Sequence, residues 1–149
     1  MAQWQPLNRE QALAARDFSR AGETFIDHKG QVHEILYATL TPLGYQVYVS
    51  PQAIHHLSQH AIAARHQMEI PHLLNNPDLI APNFEFRETH LYYKVITTVL
   101  LVVAVHHKAG VRFVATVHKA HKIKGLHEKL LSPNDFLYIR GGFKWKKWK

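Results

Sequence analysis

Thirteen of the 149 residues are histidine and none is cysteine. Imidazole titrates near neutrality, so the histidines are the first candidates for proton transfer or for holding a metal. The lack of cysteine removes thiolate ligands and disulfides. His56 and His60 are four residues apart, which on a helix puts both on one face. A metal site needs three or four ligands in one place. Here no HExxH pattern and no evident third carboxylate accompanies the pair. No metal and no other cofactor is expected. Thr116 and His118 lie in a β-rich run, and strand side chains repeat every two residues, so both face one way. A hydroxyl beside an imidazole can hold a phosphate and move a proton. An exposed sheet face, with Thr present for its β-propensity, also gives such a pair.

The chain ends in Phe143-Lys144-Trp145-Lys146-Lys147-Trp148-Lys149, four lysines interleaved with three aromatics. Lysine attracts phosphates and aromatic rings stack on unpaired bases, so this tail reads as an RNA contact. Packing of Trp145 or Trp148 back onto the domain is the next reading, and an anionic membrane surface the third.

These residues need elements to position them. Residues 1–22 read as a helix ending at Gly22. Segments 24–27 and 32–40 are strand-like around His28-Lys29-Gly30, a hairpin signal, and residues 45–49 form another strand. Ser50-Pro51 is a good helix start, with Ser as cap and Pro in the first turn, and apolar spacing carries that helix through residue 65. A short helix at residues 70–75 ends before Asn76-Pro77-Asp78. Four strands follow at 84–87, 91–96, 99–106 and 111–118, with gaps too short for parallel crossovers. Residues 119–131 read as a basic loop or short helix, and 135–139 as a last strand. The expected class is α+β: an N-terminal helix and hairpin, central helices, then an antiparallel meander, in one domain over residues 1–149.

Charge is divided along the chain. Residues 1–105 carry seven Lys/Arg against nine Asp/Glu, a net of −2, whereas residues 106–149 carry eleven against two, a net of +9. A one-sided cationic surface attracts phosphate backbones or acidic partners. The N-terminal residues lack the basic and apolar regions of a signal peptide, and the most apolar stretch, residues 95–105, is too short to span a membrane. With the absence of cysteine, a cytoplasmic protein is expected.

One stretch resembles a known group. Ser58-Gln59-His60-Ala61, Arg65, Ile70 and Leu74-Asn75-Asn76-Pro77-Asp78-Leu79-Ile80 precede strands carrying Tyr92-Tyr93-Lys94, Leu101-Val102-Val103 and Val114-Ala115-Thr116-Val117-His118. This order, over about residues 50–120, is similar to the barnase–EndoU–colicin–RelE-like ribonucleases of bacteria. The resemblance implies a RelE/barnase-like fold and metal-independent cleavage of RNA, often by a toxin held by an antitoxin or immunity protein. A base takes the ribose 2′-OH proton, the oxygen attacks the adjacent phosphate, a cation stabilises the charge, and an acid protonates the leaving oxygen. On this resemblance His60, Arg87, Thr116 and His118 form the expected catalytic set. His60 matches the helix histidine, and Arg87 would clamp a phosphate at a strand end. Lys94, Lys119, Lys122 and Lys124 would bind the backbone, with Lys144, Trp145, Lys146, Lys147 and Trp148 of the tail. A non-catalytic RNA- or DNA-binding module, or a protein-interaction domain meeting an acidic partner, remains open as the alternative.

Overall fold

The structure is a computed structural model, and it describes residues 3–58, 67–83, 86, 88–123 and 133–148. Its centre is a seven-stranded sheet in the order β3-β4-β8-β7-β6-β5-β9. The strands are β3 (Tyr37–Leu40), β4 (Gln46–Val49), β5 (Leu79–Pro82), β6 (His90–Ile96), β7 (Val99–Lys108), β8 (Val111–Ala120) and β9 (Tyr138–Ile139). A separate two-stranded hairpin consists of β1 (Thr24–Ile26) and β2 (Val32–Glu34). Among the described residues the α-helices are α1 (Arg9–Ala14), α2 (Pro51–Ser58) and α3 (Ile70–Asn75).

The meander is present: β5, β6, β7 and β8 pair antiparallel in sequence order. Ala109 and Gly110 turn β7 into β8 with φ of 52° and 80°. Two successive positive φ values match the right-handed twist of the flanking strands, and Gly adopts the second without a Cβ penalty. The sheet is nevertheless mixed, because β4 joins β8 in parallel at Tyr48 and Phe113. The intervening helices and meander supply the long connection that a parallel pair needs.

Both faces of the central strands are covered. On one face Leu101, Val103 and Val105 of β7 pack with Tyr92, Val114 and Val117 beneath Ala53 of α2 and Ile70, Leu73 and Leu74 of α3. On the other, Leu100, Val102 and Ala104 pack with Leu79, Leu91 and Tyr93 beneath Ile123, Phe136 and Trp145. The hairpin covers a third region, with Phe25 and Ile35 on Phe113. A strand buried on both sides reads as a continuous apolar run, which is why residues 99–105 lack alternation.

Several sequence expectations change. The N-terminal helix is one and a half turns, not residues 1–22. Asn8 and Gln11 form a reciprocal capping box at its start, and Ala15 closes its end. Residues before it are held to α3 instead, by Trp4 Nε1 donating to Asn75 O (2.6 Å) and Leu7 N to Asn75 Oδ1 (2.8 Å). Beyond it, Asp17 bridges Ala38. The expected 32–40 strand divides: β2 stays in the hairpin while β3 enters the main sheet. The first described meander strand is Leu79–Pro82; of the expected 84–87 strand only Phe86 is described, and it lies outside any strand. The last meander strand runs on through Ala120, and Asp135 sits in a 3₁₀ turn with β9 reduced to two residues. The part of the α2 expectation covering residues 59–65 lies outside the described residues.

The tail is structural at its centre. Trp145 is 8% exposed and meets Phe136 edge-on at 5.2 Å, while Ile123 N donates to Trp148 O (2.8 Å). Trp145 therefore has no free face for a base, which corrects its place in the RNA-contact set. Lys144, Lys146 and Lys147 are exposed. Trp145→Ala should cost about 3–5 kcal/mol of unfolding free energy, as for other buried aromatic truncations, whereas Lys146→Ala and Lys147→Ala should stay within about 0.5 kcal/mol. Chemical denaturation of the three variants measures this, and a Trp145→Ala loss below about 1 kcal/mol would contradict the packing role.

Candidate active site

A cleft of about 580 Å³ opens where β4 ends beside β8, between the β1–β2 turn, the start of α2 and the β7–β8 pair. Its walls include Asp27, His28, Gln52, His106, Phe113 and Thr116. His106 lies on the same face of β7 as Val102 and Ala104. Its β8 partner is Phe113, whose ring it meets edge-on at 5.7 Å. From the hairpin turn, His28 reaches across to His106, with ring centres 5.1 Å apart and planes at 68°.

A bulge sets the direction of Thr116. Val105 pairs with Val114 and Ala104 with Thr116, so Ala115 is an extra residue in β8. Such an insertion shifts the alternation by one position. Phe113, Ala115 and Thr116 all line the cleft, while Val114 and Val117 remain in the helix-side core. His118 follows two residues on, exposed on the same face as Thr116.

The turn carrying His28 is held by a buried polar chain. Asp27 Oδ1 accepts from Lys29 N and Gln31 N, both at 2.9 Å. Asp27 Oδ2 lies 2.7 Å from His33 Nε2, and His33 Nδ1 lies 2.8 Å from Ser50 Oγ. Burial would raise the Asp27 carboxyl, but the hydrogen bond from His33 and the backbone donors of Gln31 and Lys29 outweigh it and hold the group below its usual range. Asp27 is thus an ionised acceptor for His33 Nε2–H, and His33 Nδ1 shares a hydrogen bond with Ser50 Oγ. The Ser-His-Asp order resembles a hydrolytic triad, yet Ser50 is 1% exposed and its oxygen caps α2 by accepting from Ala53 N at 3.2 Å. It is a cap, not a nucleophile. The chain instead ties the hairpin turn to the start of α2 across the cleft.

His106 is pushed below its ordinary value, first by burial and then by the neighbouring His28 imidazole, with Asp27 pulling the other way. It is unprotonated at neutral pH and available as a base. Among the described residues no group of three His, Asp or Glu side chains is arranged to hold a metal.

Of the residues expected from sequence, the structure brings Thr116 to this cleft and His118 beside it on one face. His60, Arg87 and Lys124 lie outside the described residues. Lys119 and Lys122 are exposed. Lys94 is not a surface cation: it is 9% exposed and donates to Asn76 O at 2.8 Å, with Asp78 Oδ1 at 3.9 Å. It is part of the fold's interior and leaves the RNA-contact set. Sequence reasoning missed His28, His33 and His106. His28 and His106 each sit next to a turn, where solvated histidines are ordinary. Their strand-end positions were legible, but that the two turns meet was not.

Comparison with known proteins yields one family. No curated protein and no solved structure matches the chain significantly. The family model described as phage-Barnase-EndoU-ColicinE5/D-RelE like nuclease3 matches residues 26–126. That span contains the hairpin turn, α2 and the whole β5–β8 meander, and so every cleft residue named above. The chain therefore belongs to this family of barnase-, EndoU-, colicin- and RelE-like nucleases.

Proposed function

We propose that the chain is a metal-independent endoribonuclease of the RelE-like kind, acting in the His28–His106–Thr116 cleft. The observation that carries this reading is the pair of neighbouring imidazoles beside a hydroxyl in the 580 Å³ cleft, all within the family-matched span. His106, lowered by burial, takes the proton from the ribose 2′-OH. The 2′-oxygen bonds to phosphorus and the bond to the 5′-oxygen breaks, with His28 donating the proton to that leaving oxygen. The products are a 2′,3′-cyclic phosphate and a free 5′-hydroxyl. Thr116 donates to a phosphate oxygen and Lys29, at the cleft wall, supplies positive charge. The chemistry needs positioned proton carriers and charge, not a Lewis acid.

His118 extends the Thr116 face toward the next nucleotide. His60 and Arg87 join the set on the strength of the family resemblance. The exposed Lys119, Lys122, Lys144, Lys146 and Lys147 give the backbone its cationic track, and Trp148, half-buried, offers an edge at its end. Free cleavage of RNA would damage the cell that makes the enzyme, so a toxin held by an antitoxin or immunity protein in the bacterial cytoplasm fits this reading. Among the described residues no helix is long and apolar enough to cross a membrane.

The decisive experiment is incubation of the purified chain with total RNA in EDTA, read on a gel. Cleavage is expected, and His106→Ala should lower its rate by about 10²–10⁴-fold with the circular dichroism spectrum unchanged. A His106→Ala protein that cleaves within about threefold of the parent removes the histidine from the mechanism. Activity should also fall on the acid side. Because His106 titrates below 6.5, the loss as it becomes protonated should have its midpoint below 6.5 in a kcat/KM profile, and a midpoint above 7 would assign the base elsewhere. Binding should be salt-sensitive. Replacing Lys144, Lys146 and Lys147 by Gln should flatten the slope of log K against log salt by up to about 0.7 per lost contact, without unfolding the Trp145 strap. An unchanged slope would show that the tail lysines do not touch phosphates.

A further inference from the structure

His106 and His107 are consecutive on β7 and so face opposite ways. His106 faces the cleft. His107 faces a second polar corner on the helix-covered side, at the end of the sheet where β6 and β8 begin. Its cross-strand partner there is Arg112, and Tyr45, His90 and Tyr92 complete the group.

The hydrogen bonds in this corner have one consistent direction. Burial holds the Tyr45 and Tyr92 phenols above their ordinary range, so both keep their protons. Tyr92 O–H donates to the Tyr45 oxygen at 2.5 Å. The single Tyr45 proton then goes to His90 Nδ1, 2.7 Å away. A His90 ring that accepts at Nδ1 carries its proton on Nε2, which is left as a donor. The Arg112 guanidinium lies over the Tyr45 ring at 4.1 Å and brings its planar fork of donors to the same place.

The charge of this corner is not balanced from within. His90 is lowered by burial and then by Arg112 and His107, so these two push positive potential onto it. Among the described residues, the carboxylate paired with the corner is Glu88, 3.4 Å from His107 Nδ1 and 73% exposed. An exposed acid contributes little compensation. A fork of guanidinium donors beside an imidazole N–H, with a surplus of positive charge, is the donor set of a phosphate group.

We propose that Arg112 and His90 form a second phosphate subsite, holding a backbone phosphate of the strand whose scissile phosphate lies in the cleft. The two sites stand back to back across one strand end, so a single strand reaches both by crossing the rim of the sheet between β7 and β8. This rests on the endoribonuclease reading for the nature of the strand, but the corner itself can be tested separately.

The test has two arms, both on the full chain. In the first, inorganic phosphate is titrated while the imidazole resonances of His90 and His107 are followed by NMR. Both should shift, and the shifts should vanish in Arg112→Gln. In the second, a 2′-O-methyl RNA oligonucleotide, which cannot be cleaved, is bound across a range of salt. Arg112→Gln should weaken it roughly tenfold or more and lower the salt slope by about 0.7. Glu88→Gln should tighten it and His107→Gln weaken it. These two surface changes leave the Arg112–Tyr45 stack alone and keep the test open if Arg112→Gln fails to fold. An unchanged slope in Arg112→Gln and no tightening in Glu88→Gln would overturn the subsite. Resonance shifts with inorganic phosphate but an unaltered RNA slope would mark a site for free phosphate and overturn the backbone assignment. An Arg112-dependent slope in a protein that cleaves no RNA would uphold the subsite and discard the nuclease reading.

Discussion

The rest of the structure depends on β7 being buried on both faces. Leu100, Leu101, Val102, Val103, Ala104 and Val105 are all buried, and no single layer can do that to a strand. An antiparallel sheet ordinarily leaves one side to water, but here each side carries large apolar groups whose burial contributes about 1.5–3 kcal/mol apiece. Two covers are required. The helices supply one. The other is assembled from what remains: the 136–148 segment over β5, β6 and β7, and the β1–β2 hairpin over β8. The aromatic tail and the isolated hairpin are thus answers to one packing demand.

The covers are fixed by polar groups rather than by apolar contact alone. Asp78 is the clearest case. Its Oδ2 accepts from Val95 N at 2.8 Å, its Oδ1 accepts from Arg140 Nε at 2.7 Å, and its backbone bonds Tyr93 and Arg140. One buried carboxylate therefore joins the α3 exit, β6 and the C-terminal segment. Asn75 does the same for the N-terminal residues, accepting from Leu7 N and donating to Gln5 O and Leu40 O. Buried polar groups of this kind tolerate few alternatives, because a lost partner leaves a desolvated group unsatisfied. The Asn75–Asp78 stretch, which carries part of the family resemblance, acts as a structural knot.

The same logic shapes the candidate site. The hairpin covers Phe113 because Phe25 and Ile35 are apolar, and the Asp27–His33–Ser50 chain then sets where its turn lies. His28 is carried to His106 as a result. Partial burial at that junction keeps His106 unprotonated, while the Ala115 bulge turns Thr116 into the same space. The residues with chemistry are placed by residues without it.

Much of this was legible in the chain. The Ser50-Pro51 start, the Ile70–Asn75 helix, the turn at Ala109-Gly110 and the three long meander strands follow from caps, turn residues and β-branched runs, all local signals. The shared face of Thr116 and His118 follows from alternation alone, since both lie beyond the bulge. The division of charge, and with it the attraction to polyanions, is a matter of composition. Tertiary structure decided what those faces meet. The segment read as 1–22 helix lost most of its helix to contacts with Asn75 and Ala38, which lie far along the chain. Trp145 went to the core and Lys94 to Asn76 O because the second face of the sheet and the α3 exit needed them. The meeting of His28 with His106 joins two turns that no local pattern links. Periodicity tells which side of a strand a residue faces, but the partner across that space depends on how layers distant in sequence dock.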